Sequence, residues 1–326
     1  MRRPAGGWKT PGLDGLTLTS FACFLCITWP TTEKAKISPG RCIAGKMSLI
    51  DFILNLAGLL LWLNWLSLRF DPLARTSAAS LIGTLRKADP AGPKRWKFLA
   101  GMAALVVFRA LIYCGIGPSM NWTPNLELGV ITLPFRSDLL WRVLLFSALD
   151  LTLMIAIFYL WLLLLSLANS NVPDTDPLQK LVRLHFRWVE RWPKAIKLLL
   201  PLLVTGLFWM GLHPLLMRMA IVPRTKGPVQ LLEESVVIGL GTYLAWKYLI
   251  AGILMLHLLN SYVYLGNHAF WSYINTTARN LLVPLRWLPM RLGRVDFGPL
   301  LAIALVFLIA EFSGRWLTTL YARLPL

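Results

Sequence analysis

Residues 281–306 read LLVPLRWLPMRLGRVDFGPLLAIALV, a basic, proline-punctuated segment that runs through Asp296-Phe297-Gly298-Pro299 into an uninterrupted apolar stretch. Pro284 and Pro289 fix φ and remove backbone donors, so no regular helix fits between them. Gly293 permits a tight turn. Asp296 stands where a helix N-cap belongs, with Pro299 in the early turn that follows. Arg286, Arg291 and Arg294 supply positive charge with no acidic residue before Asp296. A basic loop feeding a long apolar helix is the pattern of a chain crossing from water into lipid.

Outward from this junction the chain repeats the pattern. Its 326 residues have a mean hydropathy of +0.61 and 56% hydrophobic content, which sets the membrane class. The apolar runs predict an all-α polytopic fold of six transmembrane helices, near 48–68, 97–117, 140–168, 198–222, 236–265 and 297–320. The third and fifth reach roughly 45 Å at helical rise against a hydrocarbon core of about 30 Å, so they tilt or protrude.

The net charge is +18. Because the basic residues lie between apolar runs, anionic lipid explains them better than nucleic acid does. The first connection carries Arg75, Arg86, Lys87, Lys94 and Arg95. The third carries Lys180, Arg183, Arg187, Arg191, Lys194 and Lys197, and the fifth carries Arg279, Arg286, Arg291 and Arg294. The second has only Arg136, and the fourth only Arg224 and Lys226. Odd connections are therefore expected on the cytoplasmic side, with both termini outside.

In order and spacing, Pro284, Arg286, Gly293, Asp296, Phe297 and Pro299 resemble the C-terminal signature of the YggT (YlmG) family of small integral membrane proteins. Trp287 stands where that signature has a second basic residue. The resemblance implies a multi-pass protein of the bacterial inner membrane, built from two helix-loop-helix repeats. Residues 48–117 form the degenerate copy and 233–326 the better one, with a central pair of helices within 118–232. Ser80-x-Ile82-x-Thr84 before Pro93-Lys94-Arg95-Trp96 is echoed by Ser272-x-Ile274-x-Thr276 before Pro284-Leu285-Arg286-Trp287. The family's association is with membrane organisation, complex assembly or biogenesis, and stress or ion balance, without catalysis and without a cofactor.

Two further segments stand out. Asp176-Pro177 opens an amphipathic helix over 177–197, with Leu178, Leu181, Val182, His185, Val189, Trp192 and Ile196 on one face. Lys180, Arg183, Arg187, Arg191 and Lys194 fall on the other, and Pro193 limits or bends its end. It lies either on the anionic leaflet or against a partner protein. Residues 1–46 differ from the rest, and their apolar run 16–29 is too short to span. Met47 opens MSLIDFILNLAGLLLWLNWL, so translation is expected to begin there. Cys23-x-x-Cys26 has no second pair and sits in apolar surroundings, which is no basis for a metal or redox site.

Ionisable residues within spans are functional candidates, since a charge at the bilayer centre costs about 3 kcal/mol on insertion scales. Arg109 is near enough to a span end for its stem to reach outward, and Arg218 and Lys247 also sit toward ends. Glu311 and Arg315 pair at i, i+4. Asp150 and His257 are deeper: Asp150 is a helix-packing contact to a base or a proton or ion site, and His257 an interhelical hydrogen-bonding residue or a ligand. His213-Pro214 marks a kink, and Glu233-Glu234 are adjacent and so face apart. There is no Gly-rich phosphate loop, H-E-x-x-H or G-x-S-x-G, so an enzyme is not expected. The leading expectation is a docking surface for anionic lipid or a partner, formed by the loop around Arg286 with the basic amphipathic helix. The alternative is a transporter or channel for small solutes or ions using Asp150 and His257.

Overall fold

The computed structural model describes residues 40–67, 96–117, 123–170, 179, 182, 192–223, 225, 227–263, 269–285, 291–292 and 295–324, of which 40–48, 67, 291–292 and 295–296 are described by their backbone. The chain divides into two units, Met1–Ser48 and Leu49–Leu326, and the second carries the helical bundle. Its α-helices are α1 (Gly40–Ser67, entering this unit at Leu49), α2 (Trp96–Ile116), α3 (Leu140–Ala168), α4 (Lys194–Arg218), α5 (Pro228–Gly241), α6 (Trp246–Tyr262), α7 (Ala269–Leu281) and α8 (Gly298–Arg323).

Among the described residues, six helical segments are long and apolar enough to cross a membrane: Leu49–Leu66, Trp96–Ile116, Leu140–Ala168, Lys194–Arg218, Pro228–Tyr262 and Gly298–Arg323. The protein is an all-helical, multi-pass membrane protein. Its long apolar side chains point outward in large number, among them Leu207, Leu308 and Phe312, as lipid-facing surfaces require. The fourth span begins four residues earlier than the sequence suggests, because Pro193 serves as its N-cap. Lys194 to Lys197 thus belong to α4, not to the end of an amphipathic helix, and Lys197 is buried.

The fifth span is compound: α5 and α6 are joined by a 3₁₀ turn, Thr242–Ala245. α5 runs against α4, with Gly206 facing Ser235 and Gly239 facing Leu202. α6 packs on α8 and α7 through Ile253, Leu254, Ile274, Ala278 and Ala302. The amphipathic α7 was not anticipated. Its buried residues Tyr273, Ile274, Thr277 and Ala278 recur at helical spacing, and Thr277 receives a hydrogen bond from Asn169 Nδ2 at 2.8 Å.

A two-stranded hairpin, β1 (Asn125–Glu127) and β2 (Thr132–Pro134), was likewise missed. It springs from the end of the bundle where Gly117 meets Ser137 and where Arg142 Nη2 donates to Met219 O at 2.5 Å. From there it turns inward. Leu126 and Leu133 join Tyr113, Phe146, Trp209 and Leu216 in one core. At the tip, Gly129 has φ +81°, a left-handed conformation that favours glycine, and Val130 rests on Gly241. Gly241 lies two residues beyond Gly239, whose neighbour Leu202 is sixteen residues from Arg218, about 24 Å along α4. Non-helical backbone at such depth must satisfy its own polar groups. The ladder does so, helped by Leu128 N to Ile131 O at 2.9 Å and Phe135 N to Pro124 O at 2.8 Å.

Backbone geometry generates a paired test. A Cβ on Gly239 would stand 2.9 Å from Leu202 O, so Gly239→Ala must push α4 and α5 apart. Ala220, at φ 53°, closes α4 through Ile221 N to Leu216 O at 3.0 Å, the position of a helix terminus that prefers glycine. Thermal unfolding in detergent is expected to show Gly239→Ala destabilised by about 1–3 kcal/mol and Ala220→Gly stabilised by about 1 kcal/mol.

Candidate functional site

Among the described residues, a dense polar site joins the first three spans. Asp51 and Asn55 lie one turn apart on α1, Arg109 and Tyr113 one turn apart on α2, and Phe146 and Asp150 one turn apart on α3. Each pair therefore occupies one helix face, and the three faces meet. Arg109 Nη2 stands 2.6 Å from Asp51 Oδ1 and 2.5 Å from Asp150 Oδ2. Its Nη1 donates to Asn55 Oδ1 at 2.9 Å and its Nε to Tyr113 Oη at 3.3 Å. Asn55 Nδ2 donates to Asp150 Oδ2 at 2.7 Å, and the Tyr113 hydroxyl donates to Asp51. The guanidinium carbon also sits 5.3 Å from the centre of the Phe146 ring.

This overturns the expectation that Arg109 reaches outward: it is 1% exposed. Two carboxylates, an amide and a phenol meet its charge and its hydrogen-bonding capacity inside the bundle, which removes the need to find water. Asp150 makes the contact to a base that its packing alternative foresaw. Asp51, Asn55 and Tyr113 were missed. The polar doublets at i, i+4, with one positive and two negative charges among three apolar helices, are the signal that points to them.

A second polar cluster joins α4 and α5. His213 and Glu234 are both buried, with His213 Nε2 at 3.8 Å from Glu234 Oε2. Glu233 is exposed, so the adjacent carboxylates do face apart. His257 is separate from both clusters: its Nδ1 lies 2.8 Å from Asn275 Oδ1 on α7, the interhelical hydrogen bond expected of it. Glu311 and Arg315 pair at 2.9 Å on the exposed side of α8.

Of the loop residues, Pro284 lies in a 3₁₀ turn, Val283–Leu285, and Asp296 lies in the two-residue strand β4 (Val295–Asp296), across from Arg291 of β3 (Arg291–Leu292). Asp296 is not the cap of α8. Phe297 is, with no side-chain cap hydrogen bond, because the strand pairing ends one residue before the helix turns. Pro299 occupies the first turn as expected and is buried. Arg286, Pro289 and Gly293 lie outside the described residues, as do Lys180, Arg183, Arg187 and Arg191. Within that basic segment, Val182 is buried against Leu162 and Leu163 of α3, on the face expected to be apolar.

Where α3 ends and α4 begins, an open apolar groove of about 440 Å³ is lined by Leu164, Leu167, Leu198, Trp246 and Leu281, with Lys194 among its lining residues. Lys194 is exposed and stands in the first turn of α4, whose N-cap, Pro193, provides no side-chain hydrogen bond. A helix N-terminus and an ammonium group beside apolar walls suit an amphiphile with an anionic head.

Comparison with protein-family models, with curated proteins and with solved structures finds no match to this chain.

Substitution at Arg109 tests the charged centre. Arg109→Met leaves two partly buried carboxylates facing each other without their base and is expected to cost about 3 kcal/mol in detergent unfolding. Arg109→Lys should recover only part of this, since an ammonium cannot reproduce the planar fork that meets Asp51, Asp150 and Asn55 together.

Proposed function

We propose that this is a non-enzymatic, multi-pass protein that gathers anionic phospholipid at its basic face and thereby organises the membrane or assists complex assembly there. The groove beside Lys194 carries this reading: its apolar walls suit an acyl chain, and the Lys194 ammonium suits a phosphate. The basic connections support it, because Lys180, Arg183, Arg187 and Arg191 precede Lys194 in sequence and Arg286 follows Leu281. On the positive-inside rule that face is cytoplasmic, in a bacterial inner membrane. The likeness of Pro284, Arg286, Gly293, Asp296, Phe297 and Pro299 to the YggT signature favours the same kind of role.

Lipid carried through purification in mild detergent, measured by native mass spectrometry, tests this reading. Phosphatidylglycerol is expected to be retained over phosphatidylcholine, and Lys194→Gln to weaken that preference by about fivefold, since one base near the surface contributes about 1 kcal/mol. Equal retention of both lipids by the unmodified protein would remove the proposal.

A transport reading is favoured by a different observation. The Asp51 and Asp150 side chains remain 23% and 21% exposed although the arginine between them is enclosed, so two acidic side chains within the bundle are not fully sealed. Flux of protons or small cations in proteoliposomes, abolished by Asp150→Asn with the fold intact, is its expected signature; no flux in the unmodified protein eliminates it.

A further inference from the structure

The cluster between α4 and α5 contains more polar capacity than its visible partners use. Trp209 and His213 lie one turn apart on α4, with ring centres 5.9 Å apart in an edge-on arrangement. Gln230 and Glu234 lie one turn apart on α5, and Gln230 Nε2 donates to Glu234 Oε1 at 3.4 Å. That leaves the other carboxylate oxygen toward His213. All four side chains are more than nine-tenths buried. Yet Trp209 Nε1, His213 Nε2 and Glu234 Oε2 make no hydrogen bond of ordinary geometry among the described residues, although the Trp209 indole stands close to the Glu234 carboxyl. The separation of 3.8 Å between imidazole and carboxylate is too long for a direct bond. Three orphaned polar atoms in one enclosed place, a donor, an acceptor and a group that can be either, are the partners an internal water requires.

We propose that His213 and Glu234 form a proton-binding site, completed by one bridging water that accepts from the Trp209 indole N–H. The site holds one exchangeable proton. When it resides on Glu234 Oε2, both residues are neutral. Passing it to the water while the water gives one of its own to His213 Nε2 produces imidazolium and carboxylate, with no change in total charge. Loss of the proton to solvent leaves an unbalanced carboxylate inside the bundle, which the apolar surroundings oppose. The ionisable groups that act on Glu234 are His213 from α4 and Tyr321 from α8. The hairpin closes the same core through Leu126 and Leu133, which pack in one cluster with Trp209. This site is independent of the lipid groove, and of the charged centre at Arg109.

The experiment follows both members of the pair in lipid nanodiscs. Histidine labelled with nitrogen-15 in the ring reports the imidazole, with His213→Gln assigning its signal, and infrared spectroscopy reports the carboxylic acid band. Glu127→Gln serves as the background for the infrared work, because burial pushes the Glu127 carboxyl up to about 7 and its band titrates nearby. In the intact pair the two probes are expected to change over one shared pH window. Glu234→Gln should remove the band and move the imidazole midpoint to lower pH by about tenfold or more in proton concentration. Trp209→Phe, which removes the indole N–H together with part of the ring, should abolish the water-to-imidazole exchange signal while the protein stays folded. An imidazole midpoint unmoved by Glu234→Gln, or a carboxyl band unmoved by His213→Gln, overturns the site. An unchanged water signal in Trp209→Phe overturns the water's part in it.

Discussion

A guanidinium enclosed among apolar helices has few stable solutions, and the first three spans are arranged around one of them. Arg109 carries charge into a region where charge is costly, and Asp51, Asp150, Asn55 and Tyr113 converge to meet it. Each partner comes from a fixed position one turn from another polar or aromatic residue, so the contact fixes the rotation of α1, α2 and α3 as well as their depth. Between apolar helices in lipid, hydrophobic burial gives little reason to prefer one rotation over another. The ionic contact supplies that preference. Close packing then follows, as where Gly58 admits Leu151.

The second half of the bundle is specified differently. α4 and α5 approach closely because Gly206 and Gly239 offer backbone in place of side chains, and α6, α7 and α8 interlock through aliphatic contacts. The hairpin between the second and third spans ties the halves together. Its apolar residues fill the space enclosed by Tyr113, Phe146, Trp209 and Leu216, while its ladder keeps backbone polarity internal. The polar side chains between α4 and α5 are imperfectly paired, in contrast to the several partners of Arg109.

Much of the fold was legible because spanning length and apolar content are properties of continuous sequence. The start of the fourth span was misjudged because Lys194 and Lys197 were counted as loop charge, whereas Pro193 sets the boundary. The hairpin was illegible for a different reason: its strands are three residues each, too short for alternation to stand out. Asp150 was found as an intramembrane acid, but Arg109 was assigned to the surface from its position along one helix. Depth along a helix does not reveal what faces it, and Asp51 drew no attention because it stands near a span end. His213 was attributed to the proline after it, although Glu234, noted only for its neighbour Glu233, lies across the helix interface.

The 3₁₀ turn at Thr242–Ala245 gives the fifth span a property that neither of its halves has. A 3₁₀ residue advances about 120° around the axis against about 100° in an α-helix, so four of them offset the following face by roughly 80°. The face that α5 presents to α4 would continue in a straight helix toward the same neighbour. After the offset, the corresponding positions of α6 turn toward α7 and α8 instead. One crossing of the membrane thereby serves as a hand-over between two neighbourhoods. A rotation of α5 in its seat against α4 would be delivered, a quarter-turn displaced, to the helices that flank the Pro284–Pro299 loop.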